Sequence, residues 1–152
     1  MDILMPDAET QSAFGERLAG HLPERLMVYL EGDLGAGKTT LARGILRGLG
    51  HRGAVRSPTY TLIEPYALGP RRLYHLDLYR LGDPEELDYL GLRDLIAESA
   101  VLLVEWPERG AGALPPPDLR IALEYRADGR RLTLSAGSAA GETLLQALAP
   151  TP

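Results

Sequence analysis

The segment GDLGAGKT, residues 32–39, decides the fold of this 152-residue chain. It fits the pattern G-x-x-x-x-G-K-[ST], with Gly32, Gly37, Lys38 and Thr39 at the fixed positions. In such a loop, small residues let successive backbone N–H groups point inward at the start of the next helix, forming a cradle for phosphate groups. The lysine reaches the β and γ phosphates as a point charge, and the following hydroxyl is a magnesium ligand. The segment therefore predicts a site for a nucleoside triphosphate and Mg²⁺.

The residues on either side of the loop support this interpretation. The apolar run at 25–31 predicts a buried strand, and leucine and isoleucine at helical spacing over 38–49 predict a helix. Lys38 is also the only lysine among 16 basic residues. A lone lysine in an arginine-rich chain indicates a position that needs a compact ammonium instead of a planar guanidinium.

The remaining pattern alternates strands and helices. We expect a helix at 8–21 with Asp7 as its N-cap, strands at 59–66, 73–79 and 100–104, one helix at 84–98, and a short helix at 142–148. A Gly- and Pro-rich connector at 110–117 is expected to leave the sheet, and Asp128-Gly129 predicts the turn of a hairpin between strands 119–125 and 130–135. This order predicts one domain over residues 1–152. Its fold class is an α/β three-layer P-loop NTPase sandwich, with a mostly parallel central sheet and a C-terminal antiparallel hairpin.

Two acidic residues are candidates for the metal and water chemistry. Glu105 follows an apolar strand and resembles a Walker B acid, while the alternative is a solvated carboxylate at a strand end. Asp77 is a second metal candidate, or else a cap or salt-bridge residue, and the neighbouring His75 is expected to be structural. The hydroxyls of Ser57 and Thr59 fit either a switch that senses the γ-phosphate or an ordinary turn before a strand.

Composition narrows the class of protein. The chain has no cysteine, no apolar run near the roughly 18 residues of a membrane helix, and no basic residue in its first ten, so we expect a soluble cytoplasmic protein. A net charge of -5 argues against broad binding to nucleic acid. The chain has no asparagine and no second lysine for a guanine-reading Asn-Lys-x-Asp loop, so ATP is the expected nucleotide.

Five stretches together resemble the bacterial TsaE (YjeE) family, ATPases of tRNA threonylcarbamoyladenosine synthesis. They lie within residues 27–108 and read GDLGAGKTTLARG, SPTYTLIEPY, YHLDLYRL, DPEELDYLGLRD and LVEWPE. Beyond residue 108 the match is looser. The resemblance implies an ATPase that acts with the TsaB and TsaD proteins, which modify the adenosine beside the anticodon. It would then meet tRNA only through that complex, with no membrane contact, and would be monomeric when free.

The resemblance also implies roles for individual residues. Lys38, Asp77 and Glu105 would serve catalysis, with Thr39 and Glu105 holding Mg²⁺. The implied contacts to ATP are Asp33, Leu34, Gly35, Ala36, Gly37, Lys38, Thr39 and Thr40 at the phosphates, and Thr10 and Arg130 at the adenine. Trp106, beside Glu105, is expected to be a packing residue.

Two other functions remain open on the residues alone. A small-molecule P-loop kinase would need an acceptor pocket and an arginine-bearing lid, for which Arg71-Arg72 is the candidate. A nucleotide sensor would bind ATP without turning it over.

Overall fold

The computed structural model describes residues 1–33, 35–55, 58 and 61–149. Its strands are β1 (Asp2–Met5), β2 (Leu26–Glu31), β3 (Ile63–Leu68), β4 (Arg71–Asp77), β5 (Val101–Glu105), β6 (Leu119–Arg126) and β7 (Gly129–Ala136). They form one seven-stranded sheet in the order β1-β7-β6-β2-β5-β4-β3. The central pairs β6/β2, β2/β5 and β5/β4 are parallel, and the outer pairs are antiparallel. The predicted α/β class with a parallel centre is therefore confirmed.

Helices cover both faces of this sheet. They are α1 (Ala8–Ala19), α2 (Lys38–Gly48), α3 (Glu86–Tyr89), α4 (Leu92–Ala97) and α5 (Ala139–Leu148). One face packs against α1, α2 and α5, and the other packs against α3, α4 and the segment that follows β5. The result is the expected three-layer sandwich.

The period-two geometry of β2 sorts its side chains between these two layers. Leu26, Val28 and Leu30 point to the α1/α2 face, whereas Met27 and Tyr29 point to the α3/α4 face. All five are buried, because a central parallel strand is covered on both sides. This burial on both faces explains why the strand is apolar without interruption from Leu26 to Leu30.

Helices α1 and α2 touch through their backbones. A Cβ atom on Gly44 would lie 2.3 Å from the carbonyl oxygen of Ser12, and one on Gly15 would lie 2.8 Å from that of Leu41. Both distances are far below a normal contact, so only glycine fits. The helix that begins at the phosphate loop is therefore held directly against the N-terminal helix.

The single helix predicted at 84–98 is wrong, because the segment forms α3 and α4 with a break between them. Gly91 lies there in a left-handed conformation, with φ 85°, which ends the first helix as a glycine C-cap does. Leu87 and Leu92 on either side of the break are both buried, so each short helix is anchored separately. The apolar residues keep helical spacing on both sides of Gly91, and the sequence therefore predicted one continuous helix.

Other boundaries differ in smaller ways. The N-terminal helix ends at Ala19 instead of His21, and the last helix starts earlier, at Ala139, because Ser138 caps it. The strand predicted at 59–66 begins only at Ile63, and positions 59 and 60 lie outside the described residues. The four-residue β1 was not predicted. The C-terminal hairpin is part of the main sheet, since β6 pairs with β2. Across the described ranges, no helix is both long and apolar enough to cross a bilayer.

Candidate functional site

The loop between β2 and α2 has the backbone shape of a phosphate cradle. Gly37 caps α2 in a left-handed conformation, with φ 102°, which a residue with a Cβ rarely adopts. A Cβ there would also lie 2.3 Å from Nε2 of Gln11, so the Gln11 side chain would have to move and its contact with the loop would change. The loop thus presents bare backbone at the positive end of α2, where anions bind.

Two side chains outside the loop hold it in place. Gln11 of α1 donates from Nε2 to the carbonyl of Gly37 at 2.5 Å, and the hydroxyl of Tyr125 in β6 donates to the carbonyl of Gly35. Sequence reasoning missed both. A signal for Gln11 was available, because it is a polar residue on the face of α1 that also carries Phe14 and Leu18. The hydroxyl contact of Tyr125 depends on the hairpin joining the sheet and had no local signal.

Lys38 is a buried cation at the start of α2. Its side chain is 5% exposed, its Nζ donates to the carbonyl of Gly32 at 2.6 Å, and it lies 3.7 Å from the ring centroid of Trp106. Burial lowers the pKa of the ammonium, while the carboxylates of Glu105 and Asp77 act in the opposite direction. The aromatic face and the carbonyl stabilise the charge where water cannot.

The two predicted acidic residues lie side by side at the carboxyl edge of the sheet. Asp77 ends β4 and Glu105 ends β5, and they are paired in the parallel register. Both are buried, at 7% and 3% exposure, and both point to the face on which α2 packs, since they share the parity of Leu73 and Leu103. Glu31 also ends a strand, but it has the opposite parity and pairs with Arg120, with Nη1 to Oε1 2.5 Å. Asp77 and Glu105 therefore share one face of the sheet, and Glu31 lies on the other face.

His75 contacts Glu105 directly. Its Nε2 lies 2.6 Å from Oε2 of Glu105, and both side chains are almost completely buried. With the carboxylate ionised, Nε2 carries the proton and donates it. Among the described residues, Nδ1 has no hydrogen-bond partner. The expectation that His75 is structural did not anticipate this contact with a candidate metal ligand.

A cavity of about 510 Å³ joins the loop to the strand ends. Its lining consists of Gly35, Gly37, Lys38, Thr39, Thr40, Asp77, Tyr79, Arg80, Glu105 and Trp106. It brings together most of the residues predicted for phosphate, metal and catalysis. The backbone N–H of Tyr79 donates to Oδ1 of Asp77 at 3.0 Å, which orients that carboxylate. The approach of Trp106 to Lys38 and the positions of Tyr79 and Arg80 were not anticipated.

The other predicted positions are distributed as follows. Asp33 is exposed and Ala36 is buried in the loop, while Leu34, Ser57 and Thr59 lie outside the described residues. Arg130 lines a second cavity of about 330 Å³, which touches the loop at Gly35, Gly37 and Thr40.

The Thr10 hydroxyl donates to Oδ1 of Asp7 at 2.7 Å within the cap of α1. Asp7 itself, not Thr10, is part of the wall of the second cavity. The role of Thr10 at the adenine stays a prediction.

The arginine pair proposed as a kinase lid lies at the opposite end of β4. Arg71 donates to the carbonyls of Leu22 and Pro23 at 3.0 and 2.7 Å, and Arg72 pairs with Glu98 at 3.1 Å. These arginines start the strand whose far end carries Asp77. They brace the amino edge of the sheet and do not face the cavity.

A magnesium ion bound with a nucleotide fits this donor set. Within the described part of the chain, no three His, Asp or Glu side chains form a ready-made metal cluster. P-loop magnesium does not need one, because it takes a hydroxyl, one or two carboxylates, water and phosphate oxygens. Thr39 and Glu105 place one hydroxyl and one carboxylate on the wall of the same cavity.

Strand, glycine loop and helix, with two buried acids on the adjacent strand ends, define a protein of the P-loop class. Comparison with known proteins agrees with this class and narrows it. The chain belongs to the TsaE family, since the family model described as threonylcarbamoyl adenosine biosynthesis protein TsaE matches residues 5–133.

Individual relatives support the assignment. The tRNA threonylcarbamoyladenosine biosynthesis protein TsaE of Haemophilus influenzae is 45% identical over 148 residues, which is 94% of each chain. The Synechocystis protein of the same name is 42% identical over 72% of this chain and 71% of its own. The crystal structure of Bacillus subtilis YdiB superimposes with a TM-score of 0.84 and 32% identity, covering 97% of this chain and 93% of that one.

Proposed function

We propose that this protein is a Mg²⁺-dependent ATPase that serves threonylcarbamoyladenosine modification of tRNA. One observation carries the proposal: Lys38 is buried at the phosphate loop and faces two buried carboxylates, Asp77 and Glu105, across one cavity. A buried ammonium beside a backbone anion cradle suits the phosphates of a nucleotide, and carboxylates in the same cavity suit the metal ion that accompanies them. The names of the TsaE relatives supply the pathway.

Each residue has a physical role in binding a triphosphate. The backbone of the loop donates N–H groups to phosphate oxygens, and Lys38 neutralises charge on the β and γ phosphates. Thr39 and Glu105 would hold the magnesium ion bound with ATP, which would supply positive charge beside the phosphates, and Asp77 would support the site from the adjacent strand. Tyr79, Arg80 and Trp106 complete the lining of the cavity.

The proposed activity depends on the TsaB and TsaD proteins. The described residues form one sheet with its helices, and among them no second lobe covers the cavity. We therefore expect slow hydrolysis by the free protein and faster hydrolysis in the complex. The free protein is proposed to be a cytoplasmic monomer of one domain, which meets tRNA only through its partners.

The decisive experiment replaces Lys38. Lys38→Ala is expected to abolish ATP binding measured by calorimetry and to stop ATP-driven tRNA modification by the reconstituted TsaB–TsaD complex. Arg47→Ala is the matched control, because it removes an exposed positive charge from the same helix. If Lys38→Ala supported modification as well as the control, the proposal would fail.

The same assay separates the alternative functions. Tight ATP binding with no phosphate release, even with TsaB and TsaD present, would show the sensor. A phosphorylated metabolite with no effect on tRNA would show the kinase. The ATPase predicts phosphate release that rises when the partners are added.

A further inference from the structure

Residues 83–98 carry the net charge of the whole protein. They contain six acidic residues and one arginine, a net charge of -5, and the rest of the chain holds 15 acidic and 15 basic residues. Five of these acids, Asp83, Glu85, Glu86, Asp88 and Asp94, are exposed. The charges of the rest of the chain therefore sum to zero, and the excess negative charge lies in this segment.

Two large apolar side chains stand in the middle of this acidic segment. Tyr89 is 89% exposed, more than any other large apolar side chain in the described residues, and the adjacent Leu90 is 43% exposed. The turn that presents them is ordered, because the Leu90 N–H donates to the carbonyl of Glu86 at 3.1 Å. Leu87 and Leu92, which flank the pair, are buried. The fold therefore holds an aromatic ring in water on a fixed support.

The apolar cluster that supports this surface packs next to the wall of the proposed ATP cavity. Leu87 packs in one cluster with Leu78 and Leu81, which flank the cavity residues 79 and 80 along the chain, and Trp106 packs against that cluster. The Leu78 N–H donates to the carbonyl of Glu105 at 3.1 Å. The segment that carries Tyr89 is thus joined through Leu87 to residues beside the cavity.

We propose that residues 85–90, the acidic aromatic surface, form the docking site for a protein partner whose own surface has an apolar pocket rimmed by arginine or lysine. The inference rests on the proposed function, which requires partner proteins, and names the surface that meets them. Tyrosine buried at the centre of an interface is a typical binding hot spot, and complementary charges around it speed association.

Charge decides between this occupant and the others. RNA and anionic membrane surfaces carry negative charge, so acidic side chains repel them. A second copy of the chain would place the same acids opposite one another in a two-fold interface. A basic protein surface is the occupant for which every feature of the segment is favourable.

The test measures binding of the purified TsaB–TsaD complex to the full-length protein by biolayer interferometry with Mg·ATP present. Tyr89→Ser is expected to weaken binding by about 10- to 100-fold, the effect of losing a hot-spot side chain. The double variant E85K/E86K is expected to slow association and to flatten its salt dependence. Leu4→Ser removes an exposed apolar residue elsewhere, and E16K/E24K changes the net charge equally at exposed positions. Both controls are expected to bind as wild type does.

Each result bears on a different statement. ATP affinity of the free Tyr89→Ser variant is expected to equal that of wild type, because the side chain is outside the cavity lining. If wild type binds the complex and Tyr89→Ser binds no worse than Leu4→Ser, the docking surface is overturned while the proposed function stands. If wild type itself fails to bind TsaB–TsaD, the proposed function fails and the docking surface falls with it.

Discussion

The contact between His75 and Glu105 yields a quantitative prediction for stability. His75→Leu removes the donor from a carboxylate that is 3% exposed and leaves it without that hydrogen bond. Hydrogen bonds to charged groups contribute about 1.5–3 kcal/mol. The substitution also removes the unpaired Nδ1, which offsets part of the loss, so the net effect is expected near the lower end of that range.

A double-mutant cycle isolates the pair. In a Glu105→Leu background, Nε2 of His75 has lost the Glu105 acceptor. His75→Leu in that background is therefore expected to leave the free energy of unfolding unchanged or to raise it, because it removes two buried polar nitrogens. Replacing both members of a buried polar pair by apolar residues often has this result. The coupling between the two positions should therefore be at least about 1.5 kcal/mol, well above the ~0.5 kcal/mol scatter of independent sites.

The assay is urea unfolding of the four proteins, followed by far-ultraviolet circular dichroism without nucleotide, since bound ATP would stabilise the folded state. Thermal unfolding should agree, with about 2–4 °C lost per kcal/mol for a chain of this size. If the two substitutions act additively, the buried pair does not stabilise the fold and the geometry has been misread.

Three further predictions concern the helices and the loop. Gly44→Ala should destabilise the protein by about 1–3 kcal/mol in urea unfolding, because the new Cβ would lie 2.3 Å from the Ser12 carbonyl oxygen. Gly20→Ala is the control and should not destabilise, because its Cβ would lie 3.4 Å from the nearest atom. Equal stabilities of the two variants would refute the contact. Hydrogen bonds from the side chain and backbone of Thr10 lower the pKa of Asp7 from its usual 3.8. The stability that this cap contributes is therefore present above pH 3.8 and is lost as the pH falls through the lowered pKa. Asp7→Asn, which caps without ionising, should show a shallower loss of stability in acid, and identical acid unfolding curves would contradict this. Trp106 is the only tryptophan, and its emission should change when Mg·ATP reaches the lysine beneath it; an unchanged spectrum at saturation would count against the site.

The parts of the fold that sequence predicted are those set by local chemistry. The phosphate loop and the two flanking elements follow from glycine spacing and apolar periodicity, and the turn at Asp128-Gly129 follows from its dipeptide. The pairing of β6 with β2 joins residues about 90 positions apart, and no local pattern encodes it. The short strand β1 exists only because β7 offers it an edge.

The site divides in the same way. Lys38, Asp77 and Glu105 were named because each sits at a recognisable end of a strand or start of a helix. Gln11 and Trp106 were not assigned there, because their contacts arise from tertiary packing of α1 and of the segment after β5. A contact made across the fold leaves at most a weak trace, such as a polar residue on an apolar helix face.

The glycine-mediated contact between α1 and α2 also determines which parts of the molecule can move. Two helices whose main chains touch cannot slide along each other by a fraction of a turn without a collision between carbonyl groups. We therefore expect the amino-terminal helix and the anion cradle to move together. Any opening that admits or releases a ligand is then expected to involve the cavity residues outside these two helices, among them Tyr79 and Arg80.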